Sequence, residues 1–370
     1  MAFFSPMGLV RRMFSSQVSV PVAKAGAQAT ASRQNSMTLD KLEGRALFAS
    51  SAAAFSVIAD PNTPIGPIYV APAKVAAKAP IKAAAKAKTA PMAALATTSS
   101  TPKVTAGFYD GINVTGGADA SSVIPKLREL GISGVRIWVG MNTWSHRGNG
   151  QAFLQAKMYK DAGFKVMMNV GVVDTSSESN YQGFFNWLKS RQYFKSVDMI
   201  QVGNEPNHYK SWKGGIDGYM KLLKIAYNTL HPTGMKVLGA GPTYDVEACK
   251  ELVRQGYLNY VDYAGFHPYG NSAEQVISRL KGAREAYGNK PLIVSEWNVR
   301  NQPNSSQWAA SLKKVREQMA RYCNAAYYFS LVKGGSMAGP AGVFSNTSWS
   351  PNDPFYSAVK SFAYMEGGSK

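Results

Sequence analysis

The chain has 370 residues, 45% hydrophobic and 11% aromatic, which is enough for one large core with an appendage. Its net charge of +19 points to anionic surfaces or polymers, but no zinc-finger or aromatic-basic RNA-binding signature accompanies it, so nucleic acid is not an expected partner. No run of about 18 apolar residues occurs, which excludes an ordinary transmembrane segment. Cys249 and Cys323 lack metal or redox spacing and are expected to be free thiols.

Residues 1–102 hold 11 Lys/Arg against 3 Asp/Glu, leaving 30 against 19 in the remainder, so both parts are basic. Residues 1–59 read as a disordered leader. Within it "RALFASSAAAFSVIAD" (45–60) joins a basic flank to an apolar, small-residue stretch, the layout of a late secretory signal. The segment "LDKLEGRALFA" resembles a leader pattern of some bacterial exported proteins, and a secreted or cell-surface location follows as the expectation. Residues 60–102 are dominated by Ala, Lys and Pro in low-complexity order. They have too few large apolar side chains to offset the entropy of ordering and are expected to form a flexible cationic linker.

From Thr105 onward, strand-like runs alternate with helical patterns. The runs are "TAGFYDGI", "GVRIWVG", "KVMMNVGVV", "DMIQVGNE", "KVLGAGPT", "VDYAGFH", "PLIVSEW" and "AAYYFSLV". Between them, "DASSVIPKLRELG" and "AEQVISRLKGAREAYG" show helical spacing, acidic starts and a closing Gly. Continuous apolar strands suit a sheet covered on both faces, and eight of them in residues 103–370 predict a (β/α)8 TIM barrel. A doubly wound sheet competes, but no G-x-G-x-x-G follows the first strand.

In such a barrel the chemistry sits where the strands end. Polar residues there are Arg136 on the second strand, Asn169 on the third, Asn204 and Glu205 on the fourth, His267 and Tyr269 on the sixth, and Glu296 with Trp297 on the seventh. Glutamates closing two strands of one ring face across its mouth, and two facing carboxyl groups are the minimal apparatus for cleaving a glycosidic bond. Asn204 and Glu205 are neighbours, which an ideal strand would point to opposite faces; a bulge at Gly203 is the expected solution.

"VGNEPN" and "IVSEWN", with "GVRIWV" and "FHPYG", resemble the signatures of the clan A retaining glycoside hydrolases, families 5 and 39 among them. The likeness spans about residues 103–370. It implies Glu205 as general acid and base, Glu296 as nucleophile, Arg136 and Tyr269 as groups keeping Glu296 charged, and Asn204 as donor to a sugar 2-hydroxyl. It also implies an aromatic platform on the eighth strand, commonly Trp, where this chain has none.

Each residue has a plainer reading. Either Glu alone is as readily a solvated side chain or a helix cap, Arg136 a structural ion pair, and His267 and Tyr269 hydrogen-bonded core. Asp110, Asp174, Asp245 and Asn298 suit turns and caps better than sugar contacts. Among aromatic residues, Trp297, Trp144, Trp212 and Tyr328 are the expected sugar platforms; others such as Trp138 are assigned to the core. His146, His208 and His231 are too scattered for a metal site, and no "HExxH" occurs, so neither metal nor cofactor is expected. The reading is therefore a monomeric, exported, endo-acting β-glycanase of bacterial type whose partner is a polysaccharide or oligosaccharide, an acidic one on the charge. Its rivals are exo-glycosidase or transglycosylase action at the same site, a barrel that binds glycans without cutting them, and a phosphate-binding isomerase.

Overall fold

A computed structural model describes residues 105–114, 119–140, 150–171, 177–208, 212, 214–300, 302, 304–334 and 341–365. The expected leader and linker lie outside these residues, as do Trp144, His146 and Asp174. All eight expected strands form: β1 (Tyr109–Asn113), β2 (Gly134–Gly140), β3 (Lys165–Gly171), β4 (Met199–Val202), β5 (Lys236–Gly239), β6 (Ala264–Phe266), β7 (Leu292–Trp297) and β8 (Ala325–Tyr328). They form one parallel sheet ordered β5-β4-β3-β2-β1-β8-β7-β6. Parallel bridges at Leu238–Tyr263 and Thr243–His267 join the outer strands and close the ring.

Among the described residues, seven helices fill the crossovers: α1 (Ala120–Leu130), α2 (Gly150–Asp161), α3 (Glu178–Lys189), α4 (Gly215–Leu230), α5 (Val246–Arg254), α6 (Ala273–Tyr287) and α7 (Ser305–Tyr322). A short helix α8 (Phe355–Lys360) follows β8. Their boundaries follow from local chemistry. Ser177, Asp245, Ser272 and Asn304 accept backbone N–H bonds at the starts of α3, α5, α6 and α7, and Gly131 ends α1 in the left-handed conformation. No described helix is long and apolar enough to cross a membrane.

Strand alternation sorts side chains to two sides. Met167, Met199, Leu238, Ile293, Ala325 and Tyr327 cluster inside the ring, while the larger apolar set packs between strands and helices. Cys249 and Cys323 are buried free thiols, as expected.

Asp110 faces outward, not toward the mouth. It takes two bonds from the buried Arg316 of α7, at 2.6 and 2.8 Å, and so ties β1 to the helical layer. Truncating one member of a buried pair leaves the other charge without compensation. Asp110→Ala is therefore expected to lose about 3–5 kcal/mol of stability. Urea unfolding checks this; a loss below about 1 kcal/mol would show that the pair contributes no more than a surface bridge.

Candidate active site

The inner face changes character one layer above the apolar cluster. Asn113, Arg136, Asn169, Gln201, His267 and Ser295 are each essentially inaccessible to solvent and come from six different strands or strand ends. Arg136 is the centre of this layer. A buried guanidinium must be surrounded by acceptors, and it has four: Nη1 donates to Glu296 Oε1 and to Asn113 Oδ1, both at 2.6 Å, while Nε reaches Gln201 Oε1 and Nη2 reaches Asn204 Oδ1, both at 3.0 Å.

Sequence reasoning misses Asn113 and Gln201, although each is a polar residue within an apolar run. The Nδ2 group of Asn113 lies 3.1 to 3.4 Å from the carbonyls of Ser295, Tyr328 and Tyr327, so it fixes Arg136 against β7 and β8. Gln201 does the same for the turn after β4, donating to the carbonyl of Gly203 at 3.1 Å.

Glu296 is 2% exposed, and both its oxygens are engaged: Oε1 by Arg136 and Oε2 by the Tyr269 hydroxyl at 2.8 Å. Burial pushes this carboxyl upward, but the Arg136 charge, aided by His267 and the Tyr269 hydroxyl, holds it below the usual carboxylate range. Tyr269 stays a donor, because burial and the charge of Glu296 raise its own pKa well above the ordinary phenol value. Tyr269→Phe removes one of the contacts that lower the pKa of Glu296. If catalysis needs ionised Glu296, the acid limb of the pH–rate profile is expected to shift to higher pH; a shift to lower pH would contradict the arrangement.

Glu205 is 6% exposed, and its Oε1 sits 3.2 Å from His267 Nδ1. The other ring nitrogen of His267 lies 2.9 Å from Ser295 Oγ. When Glu205 is ionised, Nδ1 must carry the proton, so Ser295 and Glu205 together orient the imidazole. Side-chain atoms of Glu205, His267 and Glu296 lie within 4.8 Å of one another. That spacing would also suit a divalent cation. Arg136, however, already places a positive charge 2.6 Å from Glu296 and Tyr269 occupies the second oxygen, so the donor set fits a protonic site better than a metal one.

The turn after β4 solves the neighbour problem differently from the expected bulge. Pairing with β5 stays in register through Val202, and the chain then turns with φ of 76° at Gly203 and 44° at Glu205. The register shift is on β7 instead, between Val294 and Trp297. It lets both Ser295 and Glu296 reach the interior and sends Trp297 outward.

This displaces three expected platforms. Trp297 is 1% exposed and stacks on Phe362, with Tyr328 edge-on at 5.4 Å. Tyr328 is equally buried and its hydroxyl donates to the Ala341 carbonyl, so both belong to the layer behind the strands. Trp212 is 3% exposed, edge-on to Tyr219, and lies against Gly203, where it supports the turn. The aromatic that does open to solvent is Trp138, assigned to the core on sequence grounds. It is 41% exposed, stands two residues above Arg136 on the same face of β2, and has the guanidinium 4.9 Å from its ring. Phe329, just past β8, is half-buried and held by Asn298, whose Nδ2 donates to its carbonyl at 2.6 Å. Its parity with Tyr327 is a signal that a search for Trp overlooks.

Two amides complete the site. Arg136 offers only donors, which forces the oxygen of Asn204 toward it and leaves the Asn204 Nδ2 group unpaired among the described residues. Asn169, beside Trp138 and Gln201 in register, is buried with neither amide atom bonded to a described residue.

No family model matches the chain, and no curated protein matches it. Solved structures do. The chain is similar to a family 39 glycoside hydrolase from Bacteroides cellulosilyticus, with a TM-score of 0.54 and 16% identity over 68% of this chain and 62% of that one. A family 30 endoxylanase from Clostridium papyrosolvens superposes with the same score and identity over 73% and 75%. At these identities the likeness is one of fold, the eight-stranded (β/α)8 barrel described above. A broad-specificity family 5 endoglucanase from Clostridium acetobutylicum matches at 0.53 and 14% identity, over 69% of this chain and 96% of its own. The chain thus spans less than two thirds of the family 39 protein but nearly the whole family 5 one.

Proposed function

We propose that the chain is a retaining glycoside hydrolase, an endo-acting β-glycanase that cuts a polysaccharide by double displacement. The observation that carries this reading is the approach of a carboxylate oxygen of Glu205 to one of Glu296 within 4.8 Å, beside His267. Retaining enzymes hold their carboxyl groups about 5–5.5 Å apart, and inverting ones about 6.5–9.5 Å to admit a water.

Glu296, kept anionic by Arg136 and Tyr269, attacks the anomeric carbon as the bond to the leaving oxygen breaks. Glu205 gives its proton to that oxygen. It then takes a proton from water, which attacks the same carbon and releases Glu296. The Asn204 Nδ2 group, unpaired among the described residues, suits a donor to a sugar hydroxyl, and the amide of Asn169, likewise without a described partner, suits a second one. Trp138 and Phe329 offer apolar faces for sugar rings. The neighbours are described as an endoxylanase and an endoglucanase, which supports endo action on a polysaccharide.

The test is the release of reducing ends from a panel of β-glucans, mannans and xylans, followed by proton NMR of the newly formed anomer. The expected first product keeps the anomeric configuration of the bond cut. An inverted first product would remove the nucleophile role of Glu296.

A further inference from the structure

We propose that Arg279 and Arg300 form a recognition element for a carboxylate-bearing sugar, so that the polymer cut at the adjoining glutamates is a uronic-acid glycan. The proposal rests on the hydrolase reading above and adds the substrate class. Both guanidinium groups flank the tyrosine that touches Glu296. Arg300, in the chain leaving β7, lies 4.3 Å over the ring of Tyr269, whose hydroxyl is 2.8 Å from the Glu296 carboxylate. Arg279, on α6, donates to the backbone carbonyl of that same Tyr269 and lies 5.4 Å from the ring of Tyr244, which is 44% exposed.

Neither guanidinium has a carboxylate partner among the described residues. Of the cations on the helices, Lys126, Lys157, Lys160, Lys250 and Lys314 each pair with an acid, while Arg128 and Arg284 bond backbone carbonyls; Arg279 and Arg300 differ from both sets in lying against the tyrosine that touches Glu296. Nor is the pair needed to keep the nucleophile charged, because Arg136 and Tyr269 already fill both oxygens of Glu296. Two like charges held against one residue, Arg300 over the ring of Tyr269 and Arg279 at its carbonyl, repel, a cost that an anion bound by both would offset. Burial lowers the pKa of Arg279 and the charge of Arg300 adds to that, against an opposing effect of Tyr244, which agrees with two cations sharing one locality.

The chemistry favours a carboxylate. Guanidinium forks match its planar oxygens with two parallel bonds, and the exposed Tyr244 ring beside them supplies the apolar face that a pyranose ring requires. Outside residues 1–102 the chain still holds 30 Lys/Arg against 19 Asp/Glu, a surplus that draws polyanions toward the surface.

Three polymer pairs test this with the full chain: a soluble cellulose, a curdlan and a mannan, each against its counterpart bearing a carboxylate in place of the primary alcohol. The expected result is a kcat/KM preference of about 10- to 100-fold for the acidic member of at least one pair, the size of one or two charge-assisted bonds. That preference should fall with added salt. In the double variant Arg279→Gln, Arg300→Gln it should shrink to within about threefold, while Lys at both positions retains part of it. Neutral members cleaved as well as acidic ones by the unaltered chain would overturn the proposal and leave the hydrolase reading standing, and this comparison needs no variant to fold. Equal losses on both members in the double variant would make the guanidinium groups mere supports of Tyr269 and would overturn the proposal in the same way. Preference for sulfated glucan over every uronan would also reject the carboxylate. No cleavage of any polymer, with none of an aryl glycoside series either, would remove the hydrolase reading and this proposal with it.

Discussion

Glu296→Ala is expected to lower kcat by at least about 10⁴-fold, equivalent to about 5.5 kcal/mol of transition-state stabilisation. The carboxylate is bonded by both Arg136 and Tyr269, so under the proposed mechanism its removal deletes the attacking atom and leaves a cationic hollow beneath the anomeric carbon. A small anion can enter that hollow. Added azide should therefore restore turnover and yield a glycosyl azide of inverted configuration, since only one displacement occurs. The fold should survive, because Arg136 keeps Asn113, Gln201 and Asn204 as acceptors; circular dichroism before and after the change separates lost chemistry from lost structure. A variant retaining turnover within about tenfold of the parent would exclude Glu296 as nucleophile.

The second large effect belongs to Glu205 and depends on the substrate. General acid catalysis contributes about 10²- to 10⁴-fold, and only where the departing oxygen needs a proton. Glu205→Ala should therefore lose that full factor on a polysaccharide. On a dinitrophenyl glycoside, whose leaving group departs as an anion, the bond-breaking step should change little and the second step, which needs a base to activate water, should become limiting. An initial burst of dinitrophenolate is the expected signature. Identical losses on both substrates would show that Glu205 supports structure and does not deliver protons.

The eight strands and the glutamate pair are legible in the sequence because each rests on local pattern: apolar runs of strand length, helical spacing between them, and a carboxylate where a run stops. Three features are not. Asn113 and Gln201 hold Arg136 through contacts spanning 23 and 65 positions, and a polar residue in a strand does not announce which distant side chain it will meet. The aromatic platforms are misplaced for a similar reason. Trp297 follows Glu296 and so looks available, yet the register shift on β7 reverses its side; Trp138 looks like core until its place above Arg136 is fixed. The turn at Gly203 is foreseeable as a residue type and not as a geometry, since left-handed backbone at both Gly203 and Glu205 takes the place of a bulge.

That shift on β7 carries a further consequence. One surplus residue determines which of two adjacent side chains, an acid or an indole, enters the barrel interior. Running the same residues in plain alternation through Ser295 would exchange them, sending the acid behind the strand and the ring inward, whereas deleting Ser295 would absorb the surplus and leave the acid inward in the place of the hydroxyl that holds His267. Which side chain enters this barrel is thus a matter of arithmetic along one strand, and redesign of its seventh segment must conserve spacing as well as composition.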